Sequence, residues 1–334
     1  MSASIELIIP GLFKLPLHEF DSGFLGRELP ALNYILRYAT RVNNQVYEFE
    51  PMLTESLGLS GIQCLPLAHA YRDKSSTGDA AHLLCQAVHL KPDMRSAIVL
   101  PLDNTKETKD DISLIINDLN NIFNVDCYIK AVSDRLWLIH LKQCEAPDNY
   151  PHYLSVLGKK ADQYLEQSKQ RMPWYQLINE IQMFMHAHEI NQMRLKKGLL
   201  SINSLWCWGG GQLPELHSKY IHWYTSDDAL NRFADKLGIS NSELEAFGDK
   251  DVRNHAICIE LSILETLKSV RDENLKLLLS RLEQQLFKPA IHRVKSQWCS
   301  LKLRAGYRYD FILSAFSSIR FWKQPQSLHH FSGE

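Results

Sequence analysis

Apolar positions along this chain recur with two periods, and the places where one period replaces the other mark out its elements. The opening run Ile5-Glu6-Leu7-Ile8-Ile9 is almost continuously apolar and stops at Pro10-Gly11, as a buried strand of a parallel sheet would. Leu29–Val42 switches to helical spacing, with Leu32, Ile35, Leu36 and Ala39 on one face. Strand followed by helix predicts an α/β layer. From about Cys64 to Leu141 the texture changes to short apolar runs (HLLCQAVHL, SAIVLPL, DCYIKAV and RLWLIHL) separated by turn-like polar stretches. One helical pattern, TKDDISLIINDLNNIF, interrupts them, with Ile112, Ile115, Ile116 and Leu119 on one side. This region reads as a smaller α+β module, and Gln143–Tyr153, with two prolines, as its loop.

A strong amphipathic helix is predicted from Pro173, with Trp174, Leu177, Ile178, Ile181 and Met185 on its apolar stripe. It closes in the polar stretch HAHEINQMRLKKG, read as a loop, and leads to a strand, INSLWCW. Beyond three glycines come a strand (KYIHWYT) and a helix from SDDALNRFADKLG, with Ser226 as its cap and Asp227 and Asp228 in the first turn. A strand in HAICIELSIL and a long helix striped with Leu275, Leu278, Leu279, Leu282 and Leu286 follow. QWCSLKLRAGYRYDFILSAF alternates and predicts a closing hairpin.

Composition narrows the class. At 334 residues the chain has room for two domains, and 45% hydrophobic with 22% charged residues excludes a disordered chain. Lys plus Arg number 37 against 38 Asp plus Glu, so no net field favours nucleic acid or an acidic membrane surface, although a local patch stays open. No apolar run reaches the roughly 18 residues that span a bilayer. The N-terminus carries Glu6 and Pro10 without a basic flank, unlike a signal peptide. Seven cysteines without a C-x-x-C pair predict reduced, mostly buried thiols and a cytoplasmic protein.

Familiar catalytic signatures do not occur: there is no G-x-S-x-G elbow, Walker A loop or G-x-G-x-x-G. His188–Gln192 begins like a zinc-protease motif, but Gln192 stands where the second histidine is needed. His186 and His188 diverge on a helix, so they read as helix-terminal histidines, with metal ligation as the alternative. Arg194, Lys196 and Lys197 beside Asn191 and Gln192 could hold a phosphate or carboxylate, or form a solvated loop. Trp206 and Trp208 share one face of a strand and predict packing. Gly209, Gly210 and Gly211 permit either close backbone approach or an amide nest for an anion. Asp249, Asp251 and His255 are metal-capable types in what reads as a polar loop.

Taken in order, Trp174–Gly211 resembles the RpfE-type regulatory proteins of bacteria, on NEIQM-x-x-H-x-H, N-x-x-R-x-x-x-G and NSLW-x-WGGG. LLCQAVHLKPD and the terminal RFWKQ are similar to that family too. The family in turn resembles the archaeal-type cofactor-independent phosphoglycerate mutases of the alkaline phosphatase superfamily. The resemblance implies an α/β fold: an alkaline-phosphatase-like core sheet flanked by helices, with an inserted smaller α+β domain. It implies a core of residues 1–60 and 201–324, an inserted domain of residues 61–200 and a tail of residues 325–334.

The superfamily needs Asp and His ligands for two metals plus a Ser or Thr nucleophile. Its first ligand, an Asp after the first core strand, is replaced by Pro10 and Gly11, with no acid before Asp21. Its D-x-x-x-H motif is replaced by ELSILETLKSV, and its G-D-H-like turn by Tyr307 and Arg308. The expectation is therefore a protein without metal or cofactor and without turnover, binding a small phosphorylated metabolite or a protein partner, with no nucleic acid or membrane. The anion site would comprise His188, Asn191, Arg194, Asn203 and Gly209–Gly211, with Trp206 and Trp208 walling an interdomain cleft. A divergent metal-dependent phosphotransferase or phosphoglycerate mutase is the alternative.

Overall fold

A computed structural model describes residues 3–16, 22–45, 48–59, 62–72, 81–94, 96–145, 147–148, 150–162, 164, 172–213, 220–248, 255–267, 272–306, 308–320, 322–324 and 328–331. Asp21, Asp249, Asp251 and Tyr307, each considered above, lie outside the described residues. The chain divides into two compact units, Met1–Gly61 with Leu216–Glu334, and Ile62–Glu215.

The first unit is built on β1 (Ser4–Ile8), β2 (Thr40–Asn43), β8 (His222–Thr225), β9 (Ser240–Ser242), β10 (Ala256–Ile259), β11 (Ser300–Arg304) and β12 (Tyr309–Leu313). Among the described residues these form one sheet in the order β2-β12-β11-β1-β10-β8-β9. β1 lies parallel to both β10 and β11, which explains its near-continuous apolar run. The closing hairpin forms as β11 and β12, antiparallel, with Leu301 opposite Leu313. The helices are α1 (Ser22–Glu28), α2 (Pro30–Tyr38), α3 (Phe49–Ser56), α8 (Asp228–Lys236), α9 (Ser262–Thr266), α10 (Asp272–Leu282) and α11 (Lys288–Ser296). Leu32, Ile35 and Leu36 of α2 and the leucine stripe of α10 share one core with Leu7, Leu301, Leu303 and Phe311 of the sheet.

Three elements differ from their periodicity. The Leu29–Val42 pattern stops at Tyr38, and Thr40–Asn43 extends as the exposed edge strand β2 on β12. β-branched Thr40 and Val42 suit that conformation. The strand in HAICIELSIL ends at Ile259, because the Glu260 carboxylate accepts from the Ser262 N–H (2.7 Å) and opens α9. The long leucine-striped helix is interrupted by a π-helical turn, Glu283–Phe287, before α11. Pro289 at the head of α11 lacks the N–H that an unbroken α-helix would need there. α8, finally, is capped by Asp227 rather than Ser226: its carboxylate accepts from the Leu230 N–H at 2.9 Å.

The second unit contains β3 (Ala81–Asp93), β4 (Ser96–Leu100), β5 (Cys127–Ala131), β6 (Trp137–Leu141) and β7 (Ser204–Trp208). Its helices are α4 (Lys106–Ile122), α5 (Tyr153–Val156), α6 (Met172–Ala187) and α7 (Glu189–Lys196). The sheet runs β4-β3-β6-β5, with β7 also on β3. The thirteen-residue β3 pairs antiparallel with β4, β6 and β7 along different parts of its length. α4 packs on β5 and on α6, and α6 packs on β7 through the predicted stripe of Trp174, Leu177, Ile178, Ile181 and Met185, all buried.

Here the structure corrects the expected boundary at 200/201. β7 does not join the first unit's sheet but lies opposite β3, with Cys207 facing Cys85, and the second unit extends to Glu215. HEINQMRLKKG is likewise not a loop: Glu189–Lys196 is helical.

Candidate functional site

The turn between α6 and α7 is made by His188. Its imidazole caps α7, with Nδ1 accepting from the Ile190 N–H (3.3 Å) and Nε2 facing Asp118 Oδ2 at 3.2 Å. A nitrogen that accepts at Nδ1 leaves the proton on Nε2, so the ring donates to Asp118. His188 thus sits at the start of a helix, not at the end expected for it; His186 lies in the last turn of α6.

One turn on, Asn191 is buried and fully engaged. Its amide donates to the Met185 carbonyl (2.6 Å) and the Ile202 carbonyl (2.9 Å), and its oxygen accepts from the Ile202 N–H (2.7 Å). It ties α6, α7 and the approach to β7 into one frame. Asn203 does the same for the sheet, exchanging two hydrogen bonds with the backbone of Leu90, at 2.7 and 3.0 Å.

Arg194 is the centre of the cluster, with 1% of its surface exposed. Nε donates to the Leu200 carbonyl (2.8 Å), and Nη1 to Thr108 Oγ1 (3.0 Å) and Asp111 Oδ2 (2.7 Å). Nη2 lies 3.5 Å from Asp103 Oδ1. Asp103 is itself held by the hydroxyls of Thr108 (2.6 Å) and Thr105 (2.9 Å). Desolvation opposes its ionisation, but those hydroxyls and the Arg194 charge outweigh it and hold the carboxyl below its ordinary value. Two carboxylates therefore already answer the guanidinium that the sequence nominates for an external anion.

The glycines serve close approach. A Cβ on Gly209 would sit 3.1 Å from the Ala68 nitrogen, and the Gly209 carbonyl accepts from that same N–H at 2.9 Å. The Gly211 carbonyl contacts His69 Nε2 at 2.8 Å. Trp206 and Trp208 do share a face, and both are buried against Tyr150–Tyr153 of their own unit. Trp206 donates to the Pro151 carbonyl (2.9 Å), and Trp208 stacks on Tyr153 with centroids 6.1 Å apart.

Beside this frame a shallow depression opens, with Asp103 and Thr108 on its wall together with Gln86, Asn104, Lys109 and Arg135. Lys109 pairs with the exposed Asp134 at 2.7 Å, a bond that costs little to exchange. No local signal marks these residues, because they gather from β3, the segment between β4 and α4, α4 itself and the turn before β6.

In an open α/β sheet, ligands gather beyond the carboxyl ends of the parallel strands. In the first unit β1 is followed there by Gly11, at φ +87°, where a Cβ would lie 2.9 Å from Leu267 Cδ1 and 3.2 Å from Leu264 Cδ2. β8 ends on Thr225, whose hydroxyl accepts from the Asp227 N–H (3.2 Å). β10 leads to Glu260, which faces Arg281 Nη2 at 3.5 Å. β11 ends on buried Arg304, paired with Glu55 (2.5 Å), Asp310 (3.3 Å) and Glu6 (3.7 Å). Among the described residues no three His, Cys, Asp or Glu side chains are grouped to hold a metal. Two divalent ions need several carboxylates and imidazoles free to face them; a leucine-packed glycine and a Glu held by Arg281 do not fit that donor set.

No protein-family model matches the chain. It is 32% identical to the 2,3-bisphosphoglycerate-independent phosphoglycerate mutase of Methanosarcina mazei over 87 residues, 26% of this chain and 21% of that protein. The match therefore spans about a fifth of that relative's length. Among solved structures, the chain is similar to the cofactor-independent phosphoglycerate mutase of Thermoplasma acidophilum, at 12% identity and TM-score 0.42, covering 95% of this chain and 90% of the other. It is also similar to the PH0037 protein of Pyrococcus horikoshii, at 11% identity and TM-score 0.49, covering 94% and 87%.

Proposed function

We propose that this chain is a phosphoglycerate-mutase-like protein of the RpfE type that binds a small anionic metabolite without turning it over, in a regulatory role in the bacterial cytoplasm. The observation that carries the reading is the packing of Leu264 and Leu267 against Gly11, where the superfamily resemblance calls for the first metal-binding Asp. The side chains nearest to where a Gly11 Cβ would lie, Leu267, Leu264 and Ile263, are apolar and offer no coordinating oxygen. Among the described residues, the charge stabilisation of a two-metal phosphoryl transfer therefore has no source at that position.

The ligand, on this reading, meets the second unit at the depression. Lys109, Arg135, Asn104 and Gln86 supply donors at its surface, whereas His188, Asn191, Arg194 and Asn203 hold the frame that presents them. Gly209 and Gly211, just past the other end of β7, pack closely against Leu67, Ala68 and Asp148. The 32% identity to a mutase segment favours a second reading, a divergent metal-dependent phosphotransferase or mutase.

One experiment separates the two. Purified protein is assayed for phosphoglycerate mutase and phosphatase turnover with Mn, Mg and Zn, and its unfolding is followed with phosphorylated three-carbon acids and sugars. The expected result is no metal-dependent turnover, and a ligand-induced thermal shift that Lys109→Ala with Arg135→Ala abolishes. Turnover that depends on added metal defeats the proposal in favour of the mutase. A shift that survives the double substitution defeats the assigned surface.

A further inference from the structure

One surface of the first unit serves neither its core nor the strand ends just described. Four large apolar side chains stand in solvent within 25 residues: Trp298 (63% exposed), Phe316 (62%), Ile319 (61%) and Trp322 (66%). Trp298 and Phe316 meet at 5.0 Å where β11 begins and β12 ends, and Ile319 and Trp322 flank Arg320, which lies at the adjoining start of β2. Trp298 holds φ at +54°, a conformation that a bulky L-residue adopts at a cost and that keeps its indole outside.

The same end of the sheet is basic. Arg320 donates to Thr40 Oγ1 (2.7 Å) and Lys323 to the Ala39 carbonyl (2.6 Å), which places both on the β2 margin. Residues 288–324 carry eight Lys and Arg, of which Arg293 and Arg304 are buried, and Arg304 is answered by Glu55, Glu6 and the segment's one acid, Asp310. That acid is buried and already faces Lys302 (3.2 Å) and Arg304 (3.3 Å). The charges that gather at this margin are those of Arg320, Lys323 and the neighbouring Arg41. Burial and the nearby Arg320 and Arg41 charges lower the Lys323 pKa, as crowded positive charge does.

We propose that this surface, Trp298, Phe316, Ile319 and Trp322 flanked by Arg320 and Lys323, docks on an anionic lipid surface. Side chains more than half exposed protrude instead of lining a groove, so they suit a planar partner more than a threaded peptide. Indoles favour the headgroup level of a bilayer, where a polar N–H and an apolar ring are both satisfied. Each Lys or Arg held near such a surface adds about 1 kcal/mol, or roughly fivefold in affinity. Ile319 adds aliphatic area that base stacking on single-stranded nucleic acid would not use, and the Trp298 and Phe316 rings are tilted by 61°, which offers no common stacking platform. The overall charge balance points away from membranes, and no helix among the described residues is long and apolar enough to cross one; the contact proposed is peripheral, through a local patch.

The test uses the full chain with phosphatidylcholine vesicles, with and without about one-third phosphatidylserine. Co-sedimentation is expected only with the anionic vesicles, weakening as salt rises, with quenching of tryptophan by brominated lipid. Trp298→Ser with Trp322→Ser, and separately Arg320→Glu with Lys323→Glu, should each lower the affinity by about tenfold or more. Circular dichroism and melting checks confirm that each variant is folded, and Arg320→Lys should retain binding. Failure to sediment with anionic vesicles, affinity unchanged in both double variants, or tighter retention by oligothymidylate or an acidic peptide than by the vesicles overturns the proposal.

Discussion

Arg194 shows how a residue can advertise a ligand and yet be spoken for. Its guanidinium reaches a carbonyl, a hydroxyl and two carboxylates, and its surroundings are closed. Arg194→Ala should therefore destabilise the protein by about 2–3 kcal/mol, read by urea unfolding, whether or not a ligand is present. Asp103 supplies the matching pH dependence. Its folded pKa lies below the unfolded value of about 3.9, so its contribution is complete above that value and is lost as pH falls through the lower folded one. The expected outcome is a urea midpoint that drops more steeply below about pH 4 in the wild type than in Asp103→Asn. None of this pairing could be read locally, because Arg194 and its partners Asp103, Thr108 and Asp111 are far apart in the chain. The residue type was legible; what it touches was not.

Among the elements, α7 escaped the apolar pattern because its buried face is made of Ile190, Asn191 and Arg194. A helix that hides an amide and a guanidinium against partners of their own kind shows no apolar period. By contrast β1, α4, α6 and the closing hairpin were legible, since each buries aliphatic side chains at regular spacing. The π-turn was invisible for another reason: its effect is on a different helix. Glu283, wholly buried, accepts from the Ala31 N–H (2.6 Å) and the Leu32 N–H (3.1 Å), capping α2 from a distance. Burial raises its pKa despite these two bonds. Glu283→Ala leaves two buried donors of α2 unanswered and should cost about 2–3 kcal/mol, measured by chemical denaturation, with Glu283→Gln costing less.

At the scale of the molecule, residues 62–215 form one compact unit set in the chain between the two parts of the other. The resemblance implied a return to the core from residue 201; the ladder between β7 and β3 groups that strand with the second unit instead. A protein spanning residues 62–215 should accordingly fold alone, with a single cooperative thermal transition. Loss of that transition on truncation at residue 200, which removes β7, is the companion result.

That ladder also bears on how the chain is made. Leu84–Val88 of β3 find their partners in Ser204–Trp208, more than a hundred residues later. At the usual 5–20 residues per second, a ribosome leaves one edge of the sheet's longest strand uncovered for roughly ten seconds. During that interval nascent chains translated close together on one message could pair through β3, and slow synthesis between the two strands would lengthen the exposure.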